Sequence, residues 1–151
     1  MRIVKVKDKT FADKCDNMLT SLIMDEREYD KNIRKDLVVY DWYCTTLDDN
    51  ERVTFVAIEE ENVLGFIHGY IKEEAGITVN NTVVVLDALY VKESNRNKGI
   101  GSSLIDEFKK WSKSLEAKYM DLSVLINNNS AIELYNKHGF KPLKSYMRAE
   151  L

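Results

Sequence analysis

The stretch 83–115, VVVLDALYVKESNRNKGIGSSLIDEFKKWSKSL, constrains the fold more than any other part of the chain. An apolar run ends in a polar turn at 92–97, and Gly99 and Gly101 then lead into a helical pattern. Ile100, Leu104, Phe108, Trp111 and Leu115 recur at steps of four, four, three and four, the apolar stripe of a helix that lies on a core. The segment reads as a buried strand, a glycine-bearing loop and an anchored helix. The first N–H groups of such a helix lack intrahelical acceptors and carry the positive end of its dipole, which makes the junction a socket for an anion. Without Cβ atoms, Gly99 and Gly101 would let a phosphate reach the main chain, and Arg96 and Lys98 add positive charge beside it. Neither familiar nucleotide loop fits: the P-loop needs Gly-x-x-x-x-Gly-Lys-Ser/Thr, and the dinucleotide fingerprint needs three glycines and a downstream acid.

The remaining elements can be read in order. Residues 2–6 form a short opening strand, and Thr10 caps a helix with the stripe Phe11, Cys15, Met18 and Leu22. Ile33, Leu37, Tyr40, Cys44 and Leu47 then give a second helix. The β-rich runs 52–58 and 63–71 make a hairpin, and Gly76 with Asn80 and Asn81 turns the chain into the central strand. These three strands are expected to be antiparallel, their connections being too short for a crossover helix. The run 119–126 follows a long helix and is expected to pair parallel to the central strand through a right-handed crossover. A short helix at 130–137 and closing strands at 139–143 and 144–150 complete an α+β fold, a mixed, mostly antiparallel central sheet flanked by helices on both faces.

One domain over residues 1–151 suits 44% hydrophobic content and a single proline. The 22 basic and 25 acidic residues are well mixed for a net charge of −3, so no basic stripe announces nucleic acid as a partner. No run approaches the ~20 apolar residues of a membrane span, and the N-terminus has no apolar signal core; no membrane partner and a cytoplasmic location are expected. Cys15 and Cys44 have no CxxC spacing and no nearby histidine, so they read as buried thiols, with no metal expected.

Two blocks carry a family resemblance. Arg96-Asn-Lys-Gly99-Ile-Gly101 resembles the R/Q-x-x-G-x-G/A signature of the GNAT superfamily of acyl-CoA-dependent N-acetyltransferases, with Leu89-Tyr90-Val91 at the usual distance before it. Asn128-Asn-Ser-Ala131-Ile-Glu-Leu-Tyr135-Asn-Lys-His-Gly139-Phe140 is similar to the family's N-x-x-A-x-x-L-Y-x-x-x-G-F segment. The resemblance implies the same order of elements and acetyl-CoA as co-substrate. Its pantetheine would lie on the main chain of Leu89, Tyr90 and Val91, its pyrophosphate on Arg96, Asn97, Lys98, Gly99, Ile100, Gly101 and Ser102, and Asn128 would bond the pantetheine arm. Asn128 in the run 127–130 is equally a turn or cap residue.

Tyr135 takes the position from which the family protonates the departing thiolate; a phenol of pKa ~10 suits a thiol of comparable acidity. Otherwise it is a packing tyrosine. Asp87 lies, by the period of two, on the face of Leu89 and Val91, where some amine-acetylating relatives have a carboxylate that takes the amine proton through water. Otherwise it caps or pairs. His68 is an alternative base and His138 a weaker one. Asp25, Glu26, Glu28, Tyr29, Asp30, Asp41, Trp42 and Tyr43 either collect a cationic amine or form a solvated helix end with core aromatics.

The activity implied is transfer of an acetyl group to a primary amine of a small molecule, polyamine or aminoglycoside-like compound, by direct attack in a ternary complex. A protein amino group as acceptor, or a non-catalytic acyl-CoA sensor, is the alternative. A homodimer is the assembly expected.

Overall fold

The computed structural model describes residues 1–72 and 81–151. The strands are β1 (Arg2–Lys5), β2 (Arg52–Glu59), β3 (Asn62–Lys72), β4 (Val83–Val91) and β5 (Tyr119–Asp121), and the helices α1 (Lys9–Glu26), α2 (Ile100–Ser114) and α3 (Asn129–Lys137). Short 3-10 turns occur at Tyr43–Thr46 and Glu93–Asn95. The sheet runs β1-β2-β3-β4-β5, antiparallel up to β4, with β5 parallel to β4 after the α2 crossover.

Alternation along the strands sends side chains into two cores. Val53, Phe55, Ala57, Ile67 and Leu86 face α2 and meet Leu104, Ile105 and Phe108. Val56, Ile58, Phe66 and Ala88 face α1 and meet Ala12, Cys15 and Met18. The helices thus lie on both faces, as the α+β reading expects. Gly69 marks how closely α2 approaches: a Cβ there would collide with the Phe108 ring and the Val85 carbonyl, so β3 tolerates no side chain at this point.

Four expectations need correction. Asp8, not Thr10, caps α1, its Oδ1 accepting from the Phe11 amide at 3.0 Å. The helix expected over 33–47 shrinks to the turn Tyr43–Thr46, because polar side chains take amides that a helix would use. Asp30 accepts from the Asn32 amide, Thr20 from Val39 and Asp16 from Tyr43, and Asp41 adopts a left-handed φ of 52°. Tyr40, part of the supposed stripe, is 79% exposed. Third, β5 stops at Asp121 instead of reaching residue 126, since its register on β4 ends at Val85. Fourth, residues 140–151 form no strand. The predicted turn residues Gly76 and Asn80 lie outside the described residues.

Candidate active site

Where β5 parts from β4, the remainder of β4 has β3 on one edge and a cleft of about 730 Å³ on the other side. Leu89, Tyr90 and Val91 form its floor, and Asn97, Gly99 and Gly101 its rim at the start of α2. Asn128 and Tyr135 of α3 face these across the opening, while Glu26 and Tyr29 close the side nearest α1. The two sequence blocks therefore meet in one cleft. Arg96, Ile100 and Ser102 also line it; Lys98 and Asp87 do not.

The rim has the character of an anion socket. Asn97 and Gly99 have positive φ (62° and 78°), and α2 begins at Gly99 with no side-chain cap, whereas Asp8 caps α1 and Asn128 caps α3. The free N–H groups of the first turn of α2 point to a ligand acceptor. The nearby cations are already engaged. Arg96 donates to the Val91 carbonyl at 3.0 Å and to Asp25 at 2.6 Å, and lies over the Tyr90 ring, so it latches the end of α1 to β4. Lys98 bonds the Ser94 carbonyl and Asn95 Oδ1. The main chain, more than either side chain, supplies the positive potential. Gly101 also has a packing role that the sequence did not reveal: a Cβ there would lie 3.2 Å from Leu134, so the glycine lets α3 close on α2.

Asn128 accepts through Oδ1 from the Ala131 amide at 3.2 Å, the cap reading, while standing on the cleft wall. The Tyr135 ring is half-buried and edge-on to Phe140 at 5.7 Å. Burial, then the charge of Glu26, pushes its phenol up to about 12, so the group is a protonated donor throughout the working range. The Glu26 carboxyl is itself raised by burial.

Asp87 sits differently from the sequence expectation. His68 pairs with Ala88 and Gly69 with Leu86, so Asp87 is the extra residue of a β-bulge. The bulge breaks the period of two: Leu86 and Leu89 both belong to the α2-side core and Ala88 to the α1-side core. Asp87 is thereby separated from the face of Leu89 and Val91 and interacts with Arg52 and Tyr43. Its side chain retains solvent contact, yet surrounding protein raises the carboxyl above its ordinary value, with Arg52 opposing.

His68 is fully buried, its Nδ1 2.8 Å from Thr54 Oγ1 and its ring 4.9 Å from Tyr43. Burial, then Arg52, lowers it to about 4, so the imidazole is neutral and stands off the cleft. This placement has a consequence for stability. From pH 6.5 down to about 4 the unfolded chain takes up a proton that the folded one refuses, so stability falls with pH by about 3 kcal/mol. Urea unfolding at pH 7 and 4.5 is expected to show this slope, and His68→Gln to flatten it; an unchanged slope in the variant would assign it to other groups. His138 lies at the far end of α3, 3.4 Å from Asp106.

The acidic and aromatic residues before the core divide. Glu26, Glu28 and Tyr29 line the cleft, and Asp25 also does so while holding Arg96. Asp30 bonds Asn32, Trp42 is half exposed and Tyr43 is core. Leu22, read from its spacing as core, also reaches the cleft, as do Glu133 and Lys137, which no motif singles out. Among the described residues, Asp13, Asp41 and Cys44 group within 4.8 Å, but Lys9 Nζ lies 2.8 Å from each of the two carboxylates. Cys15 is buried and Cys44 partly so.

Residues 17–140 match the family model described as "Acetyltransferase (GNAT) family", which covers most of the chain. The chain belongs to the GNAT family. Over 87 residues it is 34% identical to the N-acetyltransferase YobR of Bacillus subtilis (strain 168), an alignment covering 54% of this chain and 34% of the relative. The chain thus spans about a third of that relative's length. Among solved structures, the BH1408 protein of Bacillus halodurans, as a tetramutant, superposes with a TM-score of 0.88 over 100% of both chains at 16% identity. The aminoglycoside N-acetyltransferase AAC(6')-Iy, in complex with CoA, superposes with a TM-score of 0.73 at 17% identity, over 99% of this chain and 98% of its own. At such identities the likeness establishes a shared fold. Among the described residues no helix is long and apolar enough to cross a membrane.

Proposed function

We propose that this GNAT protein acetylates a primary amine of a small molecule in the cytoplasm, with acetyl-CoA as donor and both substrates bound together. The observation that carries the reading is the uncapped start of α2 opening onto a cleft that also holds the β4 floor and Tyr135. The residues present suit the donor: free amides at Ile100, Gly101 and Ser102 for its phosphates, and the Leu89–Val91 main chain with Asn128 for its pantetheine arm. When bound, acetyl-CoA supplies the activated acetyl group as a thioester. Tyr135 holds a proton for the sulfur that leaves; Asp87, which stands off the cleft on the β4 bulge, is the acceptor of the amine's proton only by way of intervening water. Homodimerisation is part of the same reading.

Similarity to aminoglycoside acetyltransferases in fold supports an amine acceptor, and Glu26, Glu28 and Asp25 on the cleft wall give a cationic amine an attractive approach. A thiol-release assay across polyamines, aminoglycosides and peptide N-termini is expected to show turnover with a small polycation. Turnover confined to peptides would move the reading to a protein acetyltransferase, and coenzyme binding with no turnover on any amine would move it to a sensor.

The socket is tested by Gly101→Val. The new side chain would cover the amides at the start of α2 and press on Leu134, and acetyl-CoA affinity is expected to fall by about tenfold or more, equivalent to roughly 1.4 kcal/mol. In Gly101→Val/Leu134→Ala the packing conflict is relieved while the amides stay covered, so calorimetry should still show weak binding. Recovered affinity in the double variant would mean that Gly101 serves packing alone.

A further inference from the structure

Glu26 is the last residue of α1, a position that disfavours a carboxylate. The helix end carries the negative end of its dipole, and the last turn holds no basic residue to offset it. The side chain is also partly buried, and burial raises its carboxyl with no opposing contribution from a partner. Among the described residues, no ion pair or side-chain hydrogen bond engages it. The other carboxylates near the cleft differ. Asp25 is bound to Arg96 at 2.6 Å, Glu28 and Glu133 are exposed, and Asp87 does not line the cleft. Nor does Glu26 suit the donor, since a carboxylate on the cleft wall repels the phosphates that the start of α2 attracts. A partly buried, unpaired negative charge in a binding cleft calls for a cation, and the reaction brings one in the acceptor amine.

The nitrogen that attacks is not that cation. It must be neutral when it reaches the thioester, and an ion pair with a carboxylate would hold its proton in place. Glu26 belongs to the side of the cleft nearest α1, whereas Tyr135 comes from α3. We propose that Glu26 seats a second ammonium group, so that the acceptor is a diamine or polyamine that reacts through one nitrogen while another stays protonated on this carboxylate. The attacking nitrogen forms its bond to the acetyl carbon and the bond to sulfur breaks. The surplus proton of the nitrogen leaves through water toward Asp87, and the sulfur takes one from Tyr135. The charge on Glu26 is the same before and after, so its contribution is to binding. Tyr29 brings an aromatic ring to the same wall, a further attraction for an alkylammonium. The seated cation also offsets the Glu26 charge that, after burial, holds the Tyr135 phenol up, so a bound acceptor makes the proton donor a readier acid. The inference rests on the small-molecule amine reading above and names the class of amine.

The test compares 1,4-diaminobutane with 4-amino-1-butanol, in which a neutral hydroxyl replaces one ammonium. By thiol release the parent is expected to prefer the diamine by about tenfold or more in kcat/KM, the scale of one charge-assisted hydrogen bond. Glu26→Gln should abolish that preference through a higher KM for the diamine, and Glu26→Asp, which keeps the charge, should retain part of it. Calorimetry with coenzyme A present should show the same loss of diamine affinity in Glu26→Gln. The Tm of this variant should not fall, because the side chain has no partner in the fold and the helix end disfavours its charge. A Glu26→Gln variant that kept the preference, or that lost kcat alike on both acceptors as the loss of a base would cause, would overturn the seat. Absence of turnover on any amine would sink the acceptor reading instead, and calorimetry would still decide the seat. Equal diamine affinity in parent and variant would overturn it, and weaker affinity in the variant would uphold it.

Discussion

Tyr135→Phe is expected to reduce kcat on the order of 10²- to 10⁴-fold, the usual cost of losing a general acid, while acetyl-CoA binds nearly as before. The substitution removes one oxygen and keeps the ring that packs on Phe140, so neither the position of α3 nor the cleft wall should change. A loss confined to kcat would mark an interaction made mainly in the transition state, whereas a rise in KM alone would mark uniform binding. The phenol, pushed up to about 12, also makes a directional statement. The donor remains protonated far above neutral pH, so the parent's alkaline limb should not come from Tyr135 in the free enzyme. Wild-type turnover by Tyr135→Phe with saturating acetyl-CoA and an accepted amine would reduce this tyrosine to a packing residue.

The sequence was most informative where short-range pattern and long-range packing agree. The helix stripe from Ile100 to Phe108 and the runs that became β2, β3 and β4 appear as expected, because their apolar periodicity is what buries them against the two cores. Pattern misled where side chains compete for backbone amides. The spacing of Ile33, Leu37 and Tyr40 is helical, but the competing acceptors Thr20 and Asp16 lie a long way back in the chain, on α1. No local window contains that information. The bulge at Asp87 was hidden for a similar reason, since it exists only in the register of β4 on β3. Arg96 illustrates the limit at the site. Its place in the glycine block was legible, but its bonds to Asp25 and the Val91 carbonyl belong to the tertiary structure.

The bulge makes Asp87→Asn informative about proton removal, with an expected rate loss at neutral pH on the order of 10²-fold or more if the carboxylate is the base. An alkylamine of pKa ~10 is only about a thousandth neutral at pH 7, so releasing its proton costs roughly 4 kcal/mol before any bond forms to carbon. A carboxylate can assist in two opposed ways. It attracts the ammonium form, which tightens binding but raises the amine pKa, or it accepts the proton through water during attack. Burial raises Asp87 toward the range where a carboxylate becomes a more effective base, and the Arg52 guanidinium limits that rise. The sign of the pH effect follows. The base works only when ionised, so the acid limb of kcat/KM should lie above the ordinary carboxylate range and should vanish in Asp87→Asn. The variant should recover part of its rate at high pH, where solvent deprotonates the amine. If attraction dominates instead, KM should rise and kcat stay nearly constant. The neutral, enclosed His68 offers no substitute for the lost carboxylate, so an Asp87→Asn profile superimposable on the parent's would assign the proton to water alone.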